Sequence, residues 1–342
     1  MSTSPHIVSV GSISTASLLI DGLKDCGPYL TAVVPTTDTG SSTGLIRERF
    51  GMPAPGDVRA VLSAFAAVED GQCRLLRDLF EYRLPVDRVP EMNSMALGNL
   101  ILAGLAQMTG DFSQAVKEAA KLLRTRGTVL PVTAESAQLK AILEDGQEVI
   151  GEHLVRRVGK PRIRSVSLDR DDIALGRGIA EAVAAADLIV IGPGCLITSL
   201  VACLVVPGLV ESINTAKAPA VYCCNTTTTP GQTDGMTVAD HVATIACYLG
   251  AVSPDYVLIN NRPPVSQAVD AYRDDGIQVL MPSAEEIKSI ASQGSSTIVA
   301  DLIEEQWTGK RKLHKLDSVR HDPIKVGKVL MKILHEEIGP GA

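Results

Sequence analysis

Apolar and polar positions along the chain alternate between two rhythms. His6 to Val10 reads as a strand, followed by a turn at Gly11 and a helical run near Ala16–Lys24. Leu30–Pro35 reads as a second strand that opens into the polar loop Thr36–Gly44. Helical runs follow near Asp57–Val68, Leu75–Tyr82, Leu97–Met108 and Ser113–Leu123. From Asp187 the rhythm returns with strand Leu188–Ile191, the turn Gly192-Pro193-Gly194 and a helical run to Val205. Strand Ala220–Cys224 then ends in the polar loop Asn225–Gly235. Tyr256–Ile259 and Ile277–Leu280 read as further strands, each followed by helix, and a helix of mixed charge begins near Asp322. Short β-rich runs alternating with longer helical runs are the mark of βαβ units stacked around a parallel sheet.

The middle differs. Thr128–Thr133 is β-rich, and Leu139–Leu143 and Glu148–Ile150 flank Asp145-Gly146, a strong hairpin signal. Basic residues cluster from Arg156 to Arg164. This stretch predicts a small β-rich insertion over residues 128–168, antiparallel and attached to the main sheet. No Gly-, Ser- or Pro-rich linker separates independent domains, so residues 1–342 are read as one α/β domain, a three-layer sandwich with a mostly parallel sheet.

Composition narrows the function classes. A 45% hydrophobic content over 342 residues supplies a large core. A net charge of −7 gives no basic surface for nucleic acid, and a 3% aromatic fraction gives no stacking platform. No apolar run reaches the roughly 18 residues of a membrane span; Ile189–Val206 is broken by Gly192, Pro193 and Gly194. Met1–Val10 lacks the charged and apolar regions of a signal peptide. Seven cysteines with no Cys-x-x-Cys pair fit neither a disulfide framework nor a zinc ribbon, and read as small buried hydrophobes in a reducing cytoplasm.

Candidate chemistry lies in loops that follow strands, where open parallel sheets bind ligands. Gly11–Thr15, Thr36–Gly44, Gly192–Thr198 and Asn225–Asp234 share Gly, Ser, Thr, Asn and Asp. Small residues let a ligand approach closely, and hydroxyls and free N–H groups at helix starts bind phosphate. Gly11, Ser12, Thr15, Ser41, Ser42, Gly192, Gly194, Cys195, Thr198, Asn225, Thr233 and Asp234 are therefore candidate phosphate or nucleotide contacts. The same Gly192-Pro193-Gly194 also suits a tight strand-to-helix turn. Neither a Gly-x-Gly-x-x-Gly fingerprint nor a Gly-Lys-Ser/Thr loop occurs, which disfavours nicotinamide and Walker-type binding.

Asp38 lies in a run of Thr, Gly and Ser, where a carboxylate can hold a divalent cation or act as general base, or cap the next segment. Asp57 and Arg59 follow Pro53-Ala54-Pro55-Gly56 at a helix start; Asp57 is the reserve catalytic carboxylate or a cap, and Arg59 a candidate nucleotide or phosphate contact. Ser94 and Asn99 flank Gly98 near the start of an apolar helix, where Asn needs polar partners such as a ligand. Thr237 and Asp240 form a capping-box pattern, and His241 is a weaker catalytic candidate.

Pro55-Gly56-Asp57-Val58-Arg59, Leu97-Gly98-Asn99-Leu100, Arg126 to Thr133, Gly192-Pro193-Gly194, Cys224-Asn225, Pro230 to Gly235 and Arg320-His321-Asp322 together resemble the CofD/YvcK family over nearly the whole chain. The resemblance implies a Rossmann-like fold that binds a nucleotide diphosphate at the strand ends, and a homodimer. Its CofD branch transfers a phosphoester such as phospholactate from a guanosine-diphosphate-activated donor to a hydroxyl, with Mg²⁺. Its YvcK branch regulates carbon metabolism and cell-wall synthesis and binds UDP-sugars. The Asn225 and Thr233-Asp234-Gly235 loop looks more like the second branch. Where the family opens with a glycine-rich loop, this chain has Gly11-Ser12-Ile13-Ser14-Thr15, and Gly-Pro-Gly-Ser becomes Gly-Pro-Gly-Cys195. These departures bear on ligand identity, not on fold. A nucleotide-linked small molecule is the expected substrate, with Mg²⁺ near Asp38.

Overall fold

The computed structural model describes residues 4–85, 94–306 and 319–338. The chain runs through β1 (His6–Val10), α1 (Ile13–Leu23), β2 (Tyr29–Val34), α2 (Ser41–Phe50), α3 (Gly56–Phe65), α4 (Gly71–Glu81), α5 (Leu97–Thr109), α6 (Phe112–Leu123) and β3 (Thr128–Pro131). Next come β4 (Leu139–Leu143), β5 (Glu148–Ile150), α7 (Glu152–Val155), β6 (Ile163–Leu168), α8 (Ile179–Ala184) and β7 (Leu188–Ile191). A π-helical turn (Leu196–Val201) leads into α9 (Ala202–Leu204), α10 (Leu209–Thr215), β8 (Ala220–Cys223), α11 (Val238–Tyr248) and β9 (Tyr256–Asn260). α12 (Ser266–Arg273), α13 (Ala284–Ser292), β10 (Ser296–Ala300) and α14 (Pro323–Ile338) complete the order.

Seven strands form one parallel sheet in the order β10-β9-β8-β7-β1-β2-β3. Leu188–Ile191 are fully buried, as central strands covered on both faces must be. On one face Ile7, Leu188 and Val190 pack with Leu18, Leu19 and Leu23 of α1 and Val326, Leu330 and Leu334 of α14. On the other, Val8, Val10, Ile189 and Ile191 pack with Leu196, Leu200 and the helices after β7. Helices on both faces make this the expected Rossmann-like three-layer α/β/α sandwich. Helix α1 meets α14 closely enough that a Cβ added at Gly22 would lie 2.2 Å from the Pro323 backbone oxygen.

The insertion forms a three-stranded antiparallel sheet, β5-β4-β6. In β4, Leu139, Ala141 and Leu143 are fully buried while Lys140 and Ile142 alternate outward, the half-covered pattern of such a sheet. Its predicted turn is present: Gly146 takes φ +86°, and the Asp145 carboxylate accepts the Gln147 N–H at 2.9 Å.

Four segments differ from the sequence reading. Thr128–Pro131, grouped with the insertion, is instead the edge strand of the main sheet, paired in parallel with β2, so the antiparallel part begins later. The second half of the Thr36–Gly44 loop is the start of α2, whose end is closed by Gly51 at φ +61°. Ile277–Leu280 is not a sheet strand. It meets the chain after β8, where Thr228 N–H donates to Gln278 and Leu280 N–H donates to Thr226, each at 2.8 Å. The seventh strand is β10, which the sequence reading passed over. Among the described residues no single helix is long and apolar enough to cross a membrane; the bent pair Leu196–Leu204 and Leu209–Thr215 belongs to the core.

Candidate functional site

Strand order reverses between β1 and β7, so the segments that follow them leave on opposite faces and open a crevice at the carboxyl ends. Gly11–Thr15 and Gly192–Thr198 form its two lips. They are tied together: the Thr15 hydroxyl donates to the Pro193 carbonyl at 2.8 Å, and Thr15 is fully buried. A Cβ at Gly11, which has φ +147°, would stand 2.3 Å from the Thr15 Oγ1. Gly11 and Thr15 therefore serve each other. Gly194 is different. A Cβ there would meet nothing nearer than Leu200 at 3.5 Å and the Ser12 Oγ and Ser199 Cβ at 3.7 Å, ordinary contacts.

Gly194 lines a cavity of about 280 Å³ together with Ile13, Ser14, Cys195, Asn225 and His321. Asn225 donates from Nδ2 to the Gly194 carbonyl at 2.7 Å, which leaves its buried Oδ1 without a partner. His321 is 7% exposed, and burial pushes its pKa down to about 4, so the ring is neutral. One ring nitrogen is held by the Cys224 backbone, and Nε2 has no partner. Buried polar atoms without partners are the exception in folded proteins. Here two of them belong to residues lining one cavity.

A charged cluster that does not line this cavity acts on Cys195. The Asp38 Oδ1 accepts the Gly40 N–H at 2.7 Å, and its Oδ2 lies 3.5 Å from where a Gly56 Cβ would be, at the start of α3. Glu152, the first residue of α7, is 5% exposed and hydrogen-bonds with Asp38. Its Oε1 accepts from the Arg156 Nη1 at 3.0 Å. Burial, then the neighbouring Asp38, pushes Glu152 up to about 7. Burial also raises Asp38, against the Gly40 N–H and the positive fields of Arg156 and Arg47. Asp57, in the first turn of α3, and Arg156 both act on Cys195, whose thiol burial pushes up to about 11, so it is a neutral group. Among the described residues no group of three His, Cys, Asp or Glu is placed to hold a metal ion.

Other predicted residues shape the surroundings. Arg59 is paired with Glu81 and the Phe80 carbonyl, at the end of α4. Asn99 is buried; its Nδ2 reaches the Thr43 Oγ1 at 3.5 Å and its Oδ1 has no partner. Ser94 is exposed, its carbonyl held by Arg83. The Thr198 N–H donates to the Gln232 Oε1 at 3.2 Å. Thr233 and Asp234 brace their own loop, accepting the Thr229 and Gly231 N–H groups at 2.7 Å each. Gly192 holds φ +79°, with room for no Cβ beyond 3.0 Å from the Cys223 carbonyl. Ser41 and Ser42 open α2; their side chains lie outside the described residues. Thr237 and Asp240 form the predicted capping box, and His241 is buried against the Thr237 carbonyl at 2.7 Å. The basic cluster clasps the neighbouring loop: Lys160 donates to the Gly231 carbonyl, and Arg162 lies against Gly235.

A family model described as 2-phospho-L-lactate transferase CofD matches residues 7–303. The chain belongs to the CofD family. It is 35% identical over 336 residues to the gluconeogenesis factor of Bacillus subtilis, covering 98% of this chain and 100% of that protein. It is 39% identical over 333 residues to a Thermotoga maritima relative, covering 96% of this chain and 98% of the other. A crystal structure of a UPF0052-family protein from Bacillus halodurans superposes with TM-score 0.86 at 34% identity, covering 97% of this chain and all of that one. Within this CofD-family crevice, sequence reasoning missed Glu152 and saw Gln232 and His321 only as parts of motifs. Nothing in Gly151-Glu152-His153 marks the glutamate as buried; only the docking of α7 on the loop after β2 does so. That docking runs through Thr39, whose Oγ1 takes the His153 N–H and meets its ring Nδ1, both at 3.0 Å.

Proposed function

We propose that this CofD-family chain is a nucleotide-diphosphate-dependent transferase that moves a phosphoester, of the phospholactate type, from an activated nucleotide to a hydroxyl acceptor. The observation that carries the reading is what meets at Cys195: it lines a cavity with unpartnered neutral acceptors on Asn225 and His321, and it feels the charges of Arg156, Asp57 and Glu152. The cavity suits the N–H and O–H donors of a base or ribose, and the charged groups suit a reacting hydroxyl. A GDP- or UDP-linked donor fits this arrangement, with its diphosphate beside Gly194 and Ser12.

In the reaction, the acceptor oxygen attacks the phosphorus of the transferred group. A new P–O bond forms, the anhydride P–O bond to the nucleotide breaks, and a nucleoside monophosphate leaves. Asp38 takes the proton of the acceptor hydroxyl, and Arg156 and Arg47 stand close enough to Asp38 to act on its charge. Asp57, facing Cys195, is the second carboxylate of the reading.

No group of three His, Cys, Asp or Glu among the described residues would hold Mg²⁺ alone; Asp38, in the loop after β2, is the carboxylate that would hold it, and Mg²⁺ there would offset charge on the transferred group. A cation arriving with the diphosphate would take its other ligands from the phosphate oxygens. The reading keeps the expectation of a cytoplasmic homodimer, which sedimentation and cell fractionation check.

A second reading has its own support, since the curated relatives above carry the name gluconeogenesis factor. In it the same crevice binds a UDP-sugar and transfers nothing. A thermal-shift panel of GDP, UDP and UDP-sugars, with and without Mg²⁺, tests what both share. A ligand at 100 times its dissociation constant stabilises by about 2.7 kcal/mol. No shift with any nucleotide rejects both, and binding without turnover of any nucleotide-linked donor leaves the regulator.

A further inference from the structure

We propose that Lys325, in the first turn of α14, is a positioning residue for the cavity: it pins the wall that carries His321 and so holds the ring where a nucleotide meets it. Its use rests on the nucleotide reading of that cavity, while its existence rests on contacts made without any ligand.

The wall is built from two short segments, residues 319–322 and 301–304. They run antiparallel through the bridge between Ile303 and His321. The Asp322 N–H donates to the Leu302 carbonyl at 2.7 Å, and the Glu304 N–H to the Arg320 carbonyl at 3.1 Å. Val319, Arg320, His321 and Glu304 all line the cavity. One tie to the body runs to the loop after β8, where the Thr226 hydroxyl donates to the Val319 carbonyl at 2.5 Å. Another runs to the end of β9, where the Asn260 Oδ1 accepts the Leu302 N–H at 3.2 Å.

Lys325 closes the circuit. Asp322 caps α14, its Oδ1 accepting the Ile324 and Lys325 N–H groups at 2.8 and 3.0 Å, so the chain turns back directly after His321. The Lys325 ammonium then donates to the Asp301 Oδ2 at 2.9 Å and to the Ile303 carbonyl at 3.0 Å. Ile303 stands opposite His321 and is 1% exposed, so its carbonyl relies on a protein donor. Arg262 shares Asp301, from Nη1 at 2.7 Å, and Lys325 adds the contact to the backbone.

His321 needs this hold. Its Nε2 has no partner, and the ring is tied to the chain through Cys224. One hydrogen bond leaves a ring free to tilt, and a fixed backbone beneath it removes that freedom. Lys325 does not itself line the cavity, so it acts on the ligand through the wall.

The test joins calorimetric titration of GDP and UDP to a long-range proton–nitrogen-15 NMR spectrum of the histidine rings in the whole protein. The His321 signals are those absent from His321→Ala. The wild type should hold His321 in a single neutral tautomer. Lys325→Met should mix the two tautomers, leave the other histidine signals in place and raise the nucleotide dissociation constant about tenfold, the size of one lost hydrogen bond. In a His321→Ala background the same substitution should cost little further, because its target is gone. Lys325→Arg, which keeps a cationic donor, should restore most of the affinity. An unchanged His321 spectrum in Lys325→Met overturns the proposal. So does an equal loss of affinity with and without His321, the mark of a merely structural role. Should Lys325→Met fail to fold, Asp301→Asn loosens the same clamp and is read in the same way. If the wild type binds neither nucleotide, the nucleotide reading fails by itself, and the His321 spectrum still decides whether Lys325 sets the ring.

Discussion

Replacing Glu152 by Gln should change how the stability of the protein depends on pH. The glutamate ordinarily titrates at 4.5 and is pushed up to about 7 in the fold, first by burial and then by Asp38. A group whose proton is held more tightly in the folded state stabilises that state most at low pH. Its contribution is complete below about 4.5 and is lost as pH rises to about 7. At 1.36 kcal/mol for each pH unit between those two values, the ceiling is about 3 kcal/mol. Asp38, also raised by burial, acts in the same direction. Gln cannot titrate, so the variant lacks the decline due to position 152. The assay is urea unfolding of both proteins at a series of pH values between about 4.5 and 8. Subtracting the two curves cancels the titrating groups that Glu152 does not act on, and leaves Glu152 with its effect on Asp38. The wild type should lose up to about 3 kcal/mol relative to the variant across that span. A difference that stays flat with pH would refute the reasoning, because it would mean that Glu152 is ionised throughout.

Other substitutions separate the crevice from the scaffold. Gly194→Ala and Gly194→Val should leave the fold intact, since the nearest atoms to an added Cβ are 3.5 Å away, yet weaken nucleotide binding by about tenfold or more; calorimetric titration reads the loss, and normal affinity in a folded Gly194→Val protein removes Gly194 from the cradle. Asp38→Asn should spare nucleotide affinity and lower single-turnover transfer by about 10²–10⁴-fold, the range for lost acid–base help. Gly22→Ala puts a methyl 2.2 Å from the Pro323 backbone oxygen, and overpacking of this kind costs about 1–3 kcal/mol, visible in urea unfolding with unchanged nucleotide affinity of the folded fraction.

The strand and helix rhythm was legible because the central strands are buried on both faces and read as continuous apolar runs. The same logic misled at Ile277–Leu280, whose apolar residues serve to anchor the loop after β8, while the true edge strand β10 is only half-buried and so carries a weaker pattern. Loop composition pointed to the carboxyl end of the sheet, and there Gly194, Cys195 and Asn225 line one cavity. It did not tell ligand contacts from loop braces. Thr15, Thr233 and Asp234 have the polarity of phosphate-binding residues, yet bind Pro193, Thr229 and Gly231. Arg59 reads as a nucleotide or phosphate contact and is paired with Glu81. Glu152 was invisible for the opposite reason. Its significance comes from burial against a segment over a hundred positions away, through the Thr39–His153 clasp, and no local pattern encodes that.

Diffraction from crystals grown with a nucleoside diphosphate tests the central claim most directly, that this crevice is a nucleotide-diphosphate site at Gly194-Cys195. The account predicts density for the diphosphate between the Gly11–Thr15 and Gly192–Thr198 lips. The base or ribose should donate to the Asn225 Oδ1 and the His321 Nε2, and the terminal phosphate should lie toward Asp38 and Arg156. Density for the nucleotide at any other surface, with the Asn225 and His321 cavity unfilled, would contradict it.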